Sequence, residues 1–402
     1  MSAVRNRGAS GTSDRTAGDA ARPDTPILVD DDGLHPSDRR LLRLAEQAER
    51  AASAPDDVPE PERDRVGELL DSLSGAGSDG EVGEMGLPGE PGSGAGQAIE
   101  GVRETRSTPE VQIHDASGLG SGGGMRYVGS AREIGPDAPA AAQWAAQHVQ
   151  HALEYFASRG RDGIDGRGGA VEVRVDETST NAAGEEVHLG NAGYYTVTFQ
   201  DGSEQEFVRF GRGATQVLPD GRADIRESMV RSYDLTVHEL AHGIVKAETG
   251  NPGGFKDETG AVHEALADLV AAVATRDWEI GEEIFVPHSD VRLLRDISNP
   301  GRPDAFHGLH GHIDQYRAAE AAGRVQEHTS SGILSQAAYR FQAAEGWDAL
   351  EDLVWDTLEG GQLGDLGFQA TADAMRAAAI GRWGEGSSQA ASIDRELRQA
   401  GL

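Results

Sequence analysis

The chain has no cysteine. Disulfides and thiolate metal sites are thereby excluded, so any transition metal has to be held by histidine and carboxylate. Lysine is nearly absent too: Lys246 and Lys256 are the only two, and arginine carries the rest of the positive charge. Basic residues number 36 against 68 acids, for a net charge of -32. So acidic a surface repels phosphate, which argues against nucleic acid and anionic membranes as partners and favours bound cations. No apolar run is long enough to span a bilayer, so no membrane insertion is expected. The opening MSAVRNRGASGTSDRTAGDA lacks the apolar core of a secretory signal. A monomer is expected, either cytoplasmic or exported by a non-classical route, with an extracellular destination left open.

What is present changes character along the chain. Residues 1–110 are rich in charge and poor in aromatics, and read as a largely disordered pro-segment or delivery tail. Two short stripes within it have helical spacing, Leu41, Leu42 and Leu44, then Val66, Leu69, Leu70 and Leu73. Gly77, Gly80, Gly83, Gly86, Gly89 and Gly92 follow at every third position, too few triplets for collagen and better read as a flexible linker. From residue 111, VQIHDASG, MRYVGSA, AVEVRV, YYTVTFQ and EQEFVRF look like strands, and AAQWAAQHVQHALEYFAS is an amphipathic helix. Beyond 223 the period becomes helical, over roughly 225–247, 260–276, 329–345, 347–359, 366–380 and 387–399. Strands first and helices after predict an α+β fold: a strand-rich lobe over 111–240 that includes the helix discussed next, then a helical lobe over 241–402.

Residues 235–243 read LTVHELAHG. Histidines four apart share one helical face, so His238 and His242 can reach one ion, and Glu239 sits close enough to touch a water there without ligating the metal. The same pattern also fits a surface helix that carries two histidines and a glutamate. A catalytic zinc needs a third protein ligand, and ETGAVHEALADLV supplies Glu264 as the candidate. Asp268, one turn later, is placed to accept a hydrogen bond from the ring nitrogen of His238 that faces away from the metal.

HELAH followed by GAVHEALAD resembles the gluzincin metallopeptidases, and specifically the thermolysin family. The likeness continues in order through NAGYY (191–195) and GSEQEFVRFGRG, similar to the family's substrate-edge strand, DWEIGEE (277–283), similar to its calcium loop, LLRDISNP (293–300), similar to its arginine segment, and EHTSSGILSQAAY (327–339), similar to its second catalytic segment. The resemblance implies a two-lobed thermolysin-like fold with a zinc cleft between the lobes, closest in layout to protealysin-like members. It implies zinc on His238, His242 and Glu264, Glu239 as the base that activates the attacking water, and His328 stabilising the oxyanion. Arg295 would hold a substrate carbonyl, Asn191 the substrate backbone, and Ala192 the edge-strand contact. Asp234, Asp277, Glu279 and Glu282 resemble the calcium ligands, with one ion at most expected. The activity implied is an endopeptidase acting on peptides or proteins, with an apolar residue after the scissile bond. The alternative is an effector or binding protein that keeps the fold and little activity.

The sequence also departs from the family. The phenol expected beside His328 falls on Phe255, and GRVQE before His328 offers no clear carboxylate to orient that ring, so slower turnover is expected. His307, His310 and His312 in AFHGLHGH read as solvated loop histidines.

Overall fold

The computed structural model describes residues 109–180, 186–199, 204–250, 256–361, 363 and 366–402. Both stripes of the N-terminal region, its glycine triplets and Phe255 lie outside those residues.

The sheet is built from alternating strands. Val171, Val173 and Val175 are buried on one side of β3 (Val171–Thr180), as period-2 patterning dictates. β1 (Val111–Gly118) runs parallel to β3, and β2 (Gly124–Ser130) pairs antiparallel to β1. β4 (Glu186–His188) pairs with β3 off the main path. On the other side of β3 comes β6 (Glu204–Gly211), parallel to it, and then β5 (Ala192–Thr198), antiparallel to β6. The order β2-β1-β3-β6-β5 puts β5 at an edge, as expected for NAGYY, while the similar-looking β6 is interior. Helix α1 (Ala140–Ser158) lays Ala142, Ala145, Val149, Leu153 and Phe156 into the same core.

Two helices occupy the centre. α2 (Tyr233–Thr249) is buried from Asp234 through Val245 and stops where Gly250 adopts φ +62°, the left-handed C-cap that glycine accepts without strain. α3 (Asp257–Thr275) is buried without a break from Gly260 to Val273 and packs on α2. Helices buried all round are hemmed in by other elements. Here α6 (Gly332–Glu345), α7 (Trp347–Glu359), α8 (Phe368–Trp383) and α9 (Ser388–Gln399) supply Leu334, Phe341, Leu353, Trp355, Met375 and Leu397 to one hydrophobic core continuous with the sheet. The expected lobe boundary at 240 falls inside α2.

One expectation needs correcting, and two features went unsignalled. The helix anticipated from 225 begins at Tyr233; Ala223–Ile225 instead form strand β8, paired with β7 (Thr215–Val217), and Met229–Arg231 make a 3-10 turn. Asp224 accepts from the guanidinium of Arg226 and from Gln216, and those buried bonds hold the segment extended. A helix that the apolar pattern did not signal, α4 (Ile313–Ala321), is started by His312, whose Nδ1 accepts the Asp314 N–H at 3.2 Å. Finally, DWEIGEE and LLRDISNP meet as a small antiparallel pair, β9 (Glu279–Ile280) and β10 (Arg295–Asp296).

Candidate metal centre

His238 and His242 lie one turn apart on α2, and Glu264 comes from α3 facing them. All three are buried, and their ligand atoms fall within 4.8 Å of one another, the single such group of three among the described residues. Glu264 Oε2 stands 3.3 Å from His238 Nε2 and Oε1 3.6 Å from His242 Nε2. Oε2 is buried without a hydrogen-bond partner, although the ring nitrogens lie near. Two imidazole nitrogens and a carboxylate with an uncommitted oxygen are a donor set that suits a zinc ion with one position left open.

Behind the ligands is a charged layer. His238 Nδ1 is 3.0 Å from Asp268 Oδ1, as the one-turn spacing after Glu264 predicts. Arg295, only 2% exposed, reaches the same carboxylate through Nη2 at 2.6 Å and through Nε at 3.1 and 3.2 Å, and Ser331 Oγ donates to it at 3.3 Å. Burial raises Asp268, but Arg295 and His238 outweigh it and hold this carboxyl below its ordinary range. Glu264 is likewise pulled well down against burial, by His328, His242 and His238. His238 is depressed by burial yet held up to about 10 by Asp268 and Glu264, whereas burial takes His242 down to about 3.

The remaining expected residues divide into two sets. Glu239 is buried beside the ligands, with Oε2 3.9 Å from His242 Nε2. His328, at the short helix α5 (Glu327–Ser330), brings Nε2 to 3.3 Å from Glu264 Oε2. Arg295 is thus in the cluster, bound to Asp268. Asn191 and Ala192 stand at the head of the edge strand, where the Asn191 carbonyl accepts the Gly211 N–H at 2.9 Å.

The acids expected to hold calcium have the following surroundings. Asp234 in the first turn of α2 accepts the Gly281 N–H at 2.7 Å. Burial and the nearby Glu283 raise it to about 6; burial and then Asp234, Asp277 and Glu283 raise Glu282 to about 8. Glu279 is ion-paired with Arg302.

Two histidines carry contacts that the sequence did not signal. His263, beside Glu264 and completely buried, puts Nδ1 2.7 Å from His242 Nδ1. A histidine next to a metal-ligand candidate is the signal that could have found it, but only the approach of α3 to α2 gives it a partner. His307 lies parallel to His328, with ring centroids 5.0 Å and planes 7° apart, and takes the edge of Phe306. The three loop histidines have contacts besides solvent: His307 packs on a site residue, His310 donates its backbone N–H to Thr329 O, and His312 caps α4.

Two buried histidines and a glutamate on packed helices, backed by carboxylate and guanidinium, form a donor set that could hold a metal ion on an α+β scaffold. Comparison with known proteins shows what the chain is similar to. Residues 254–402 match the family described as thermolysin metallopeptidase, alpha-helical domain. Neutral protease B of Bacillus subtilis is 28% identical over 204 residues, 47% of this chain and 36% of that protein. A thermolysin of Alicyclobacillus acidocaldarius is 34% identical over 139 residues, 32% of this chain and 24% of that protein. The chain thus spans about a third of the length of the curated relatives it matches. The solved precursor of protealysin, a metalloproteinase from Serratia proteamaculans, shares the fold at a TM-score of 0.55 and 19% identity, covering 75% of this chain and 91% of that one. The match of residues 254–402 and these relatives support a thermolysin-family metallopeptidase. Among the described residues no helix is long and apolar enough to cross a membrane.

Proposed function

We propose that the chain is a zinc-dependent endopeptidase. The observation that carries this reading is the convergence of His238, His242 and Glu264 with Glu239 and His328 around one buried point. When bound there, zinc supplies Lewis acidity to a peptide carbonyl and makes water acidic enough to attack near neutral pH. Glu239, next to the ligands without being one, takes the proton of the attacking water and passes it to the leaving amine. His328 donates from Nε2 to the carbonyl oxygen as it becomes negative. Arg295 keeps Asp268 ionised, and Asp268 holds the Nδ1 proton of His238, so that Nε2 keeps its lone pair for the metal. Arg295 also offers a donor to a substrate carbonyl.

An extended substrate would add to the outer side of β5, with Asn191 and Ala192 at its head, because an edge strand presents backbone groups that an incoming strand can pair with. Cleavage before an apolar residue, a division into two lobes along α2, and a role for residues 1–110 as pro-segment or delivery tail complete the reading. One calcium ion on Asp234, Asp277, Glu279 and Glu282 would relieve their mutual repulsion.

Glu239→Gln is the decisive variant. It should abolish cleavage of a quenched-fluorescence peptide while zinc remains bound at about one equivalent, since the side chain is not a ligand. Loss of metal together with activity would reassign Glu239; a wild-type protein that loads zinc and cuts nothing would leave a binding protein on a peptidase fold.

A further inference from the structure

Arg226, the residue after β8, is only 6% exposed, and its guanidinium works in two directions. Nε and Nη2 each donate at 2.8 Å to one oxygen of Asp224. Nη1 donates, also at 2.8 Å, to the carbonyl of Gly190, the residue before Asn191. Asp224 is completely buried and accepts a further bond from Gln216 at 2.7 Å, so it is a fixed anchor for the fork. The guanidinium carbon lies 4.2 Å from the ring centre of Phe306 and 5.3 Å from that of Phe285, and these rings hold its plane. A planar cation with donors in fixed directions can grip a carboxylate with one side and a carbonyl with the other; an ammonium cannot.

The carbonyl that it holds belongs to a segment anchored residue by residue. Leu189 O accepts the Gly213 N–H at 3.1 Å, and Asn191 O accepts the Gly211 N–H at 2.9 Å. Between them Gly190 lies so close to the neighbouring chain that a Cβ on it would fall 2.6 Å from the methyl carbon of Ala214. The two flanking bonds come from main chain at the end of β6, whereas the middle one comes from a side chain. That middle bond sets the plane of the peptide joining Gly190 to Asn191, because the carbonyl oxygen and the Asn191 Cα are parts of one rigid unit. The direction in which the Asn191 side chain leaves the strand follows from that plane. We infer that Arg226 is a positioning residue for substrate: it fixes the Gly190–Asn191 peptide and thereby aims the Asn191 side chain at the main chain of a peptide laid along β5. The inference rests on the reading of Asn191 and β5 as the substrate edge. Arg226 acts through Asn191 on the whole bound peptide, so it serves binding rather than the bond-breaking step.

Binding can be read without turnover in full-length, zinc-loaded Glu239→Gln protein, by fluorescence anisotropy of a labelled alanine–leucine peptide. Two changes remove the Gly190 contact by different routes. Arg226→Lys keeps a charge beside Asp224, and Arg226→Met made together with Asp224→Asn leaves no buried charge stranded. Each should weaken peptide binding about tenfold, the scale of one hydrogen bond to the substrate, with zinc content unchanged. In the active protein the same changes should raise KM about tenfold and leave kcat within about twofold. Asn191→Ala alone should weaken binding by a similar factor. Adding Arg226→Lys to it should then cost less than about twofold more, because a residue that acts through another has nothing left to act on. A purely architectural Arg226 would lower the melting temperature and leave peptide binding by the folded protein as it was. Unchanged binding in the folded Arg226 variants, or an undiminished tenfold loss in the Asn191→Ala background, would overturn the inference. If Arg226→Lys does not fold, the charge-neutral pair decides. An Asn191→Ala protein that binds as wild type does would instead sink the underlying reading of the substrate edge, and the two failures are distinct.

Discussion

Helix α2 serves two groups of acids, one at its first turn and one along its middle. At the first turn Asp234 and Glu282 are pushed up, to about 6 and about 8. Along the middle Glu264 and Asp268, buried as Asp234 is, are both pulled down. Depth of burial does not separate the two groups. Company explains it: Arg295 and the histidines come with the second pair, while the first has other carboxylates for neighbours. The β9 and β10 pair joins the two places, since Gly281 next to β9 donates to Asp234 and Arg295 in β10 grips Asp268.

Breaking the better-matched group should cost most. Arg295→Met strands Asp268 as a buried, uncompensated charge, and removing one partner of such a pair typically destabilises by about 3–5 kcal/mol. Urea unfolding of zinc-loaded protein measures it; a change below about 1 kcal/mol would mean that water or His238 replaces the guanidinium.

The acid pair should respond to pH instead. Its carboxyls are harder to ionise in the fold than in the unfolded chain, so between about 4.5 and 8 the unfolded chain binds fewer protons than the fold, and stability falls as pH rises. With a chelator present, the melting temperature should therefore drop from pH 5 to pH 8. Calcium should flatten that slope, and Glu282→Gln should remove much of it; a slope indifferent to both would place its origin elsewhere.

The smallest effect sharpens the contrast from the catalytic side. His307→Leu removes a ring stacked on His328, an interaction worth about 0.5–1.5 kcal/mol. Turnover should fall about two- to tenfold with KM little changed. A change confined to KM would assign His307 to substrate binding.

Much of this was legible in the residues. HELAH and GAVHEALAD carry their geometry with them, because a helix fixes which side chains share a face, and Asp268 followed from one turn of spacing. The helices at 347–359 and 388–399 were equally plain from their apolar period. The true start of α2 was hidden: apolar residues from 225 onward keep a helical rhythm, but Asp224 and Arg226 spend their hydrogen bonds holding a strand. α4 begins on a histidine cap, which is not among the residues that usually mark a helix start. His263 and His307 were illegible for another reason. Each acquires its partner from a different element, His242 across two packed helices and His328 across a loop, and no spacing along one chain encodes such a meeting.

The layer behind the histidines can also be read as a matter of electroneutrality. Glu239, Glu264 and Asp268 are three buried carboxylates, and Arg295 is the permanent cation in contact with Asp268 and Glu264. Three negative charges against one positive leave an excess of two, which a dication cancels in full. A proton on His238 cancels only half, and the strong hold of Asp268 and Glu264 on that proton expresses the same demand. A divalent ion held there would compete with that proton for one buried anion, so its uptake would expel the proton and grow steeply weaker in acid. On that reading the charge of the scaffold favours a divalent cation before any ligand geometry is considered.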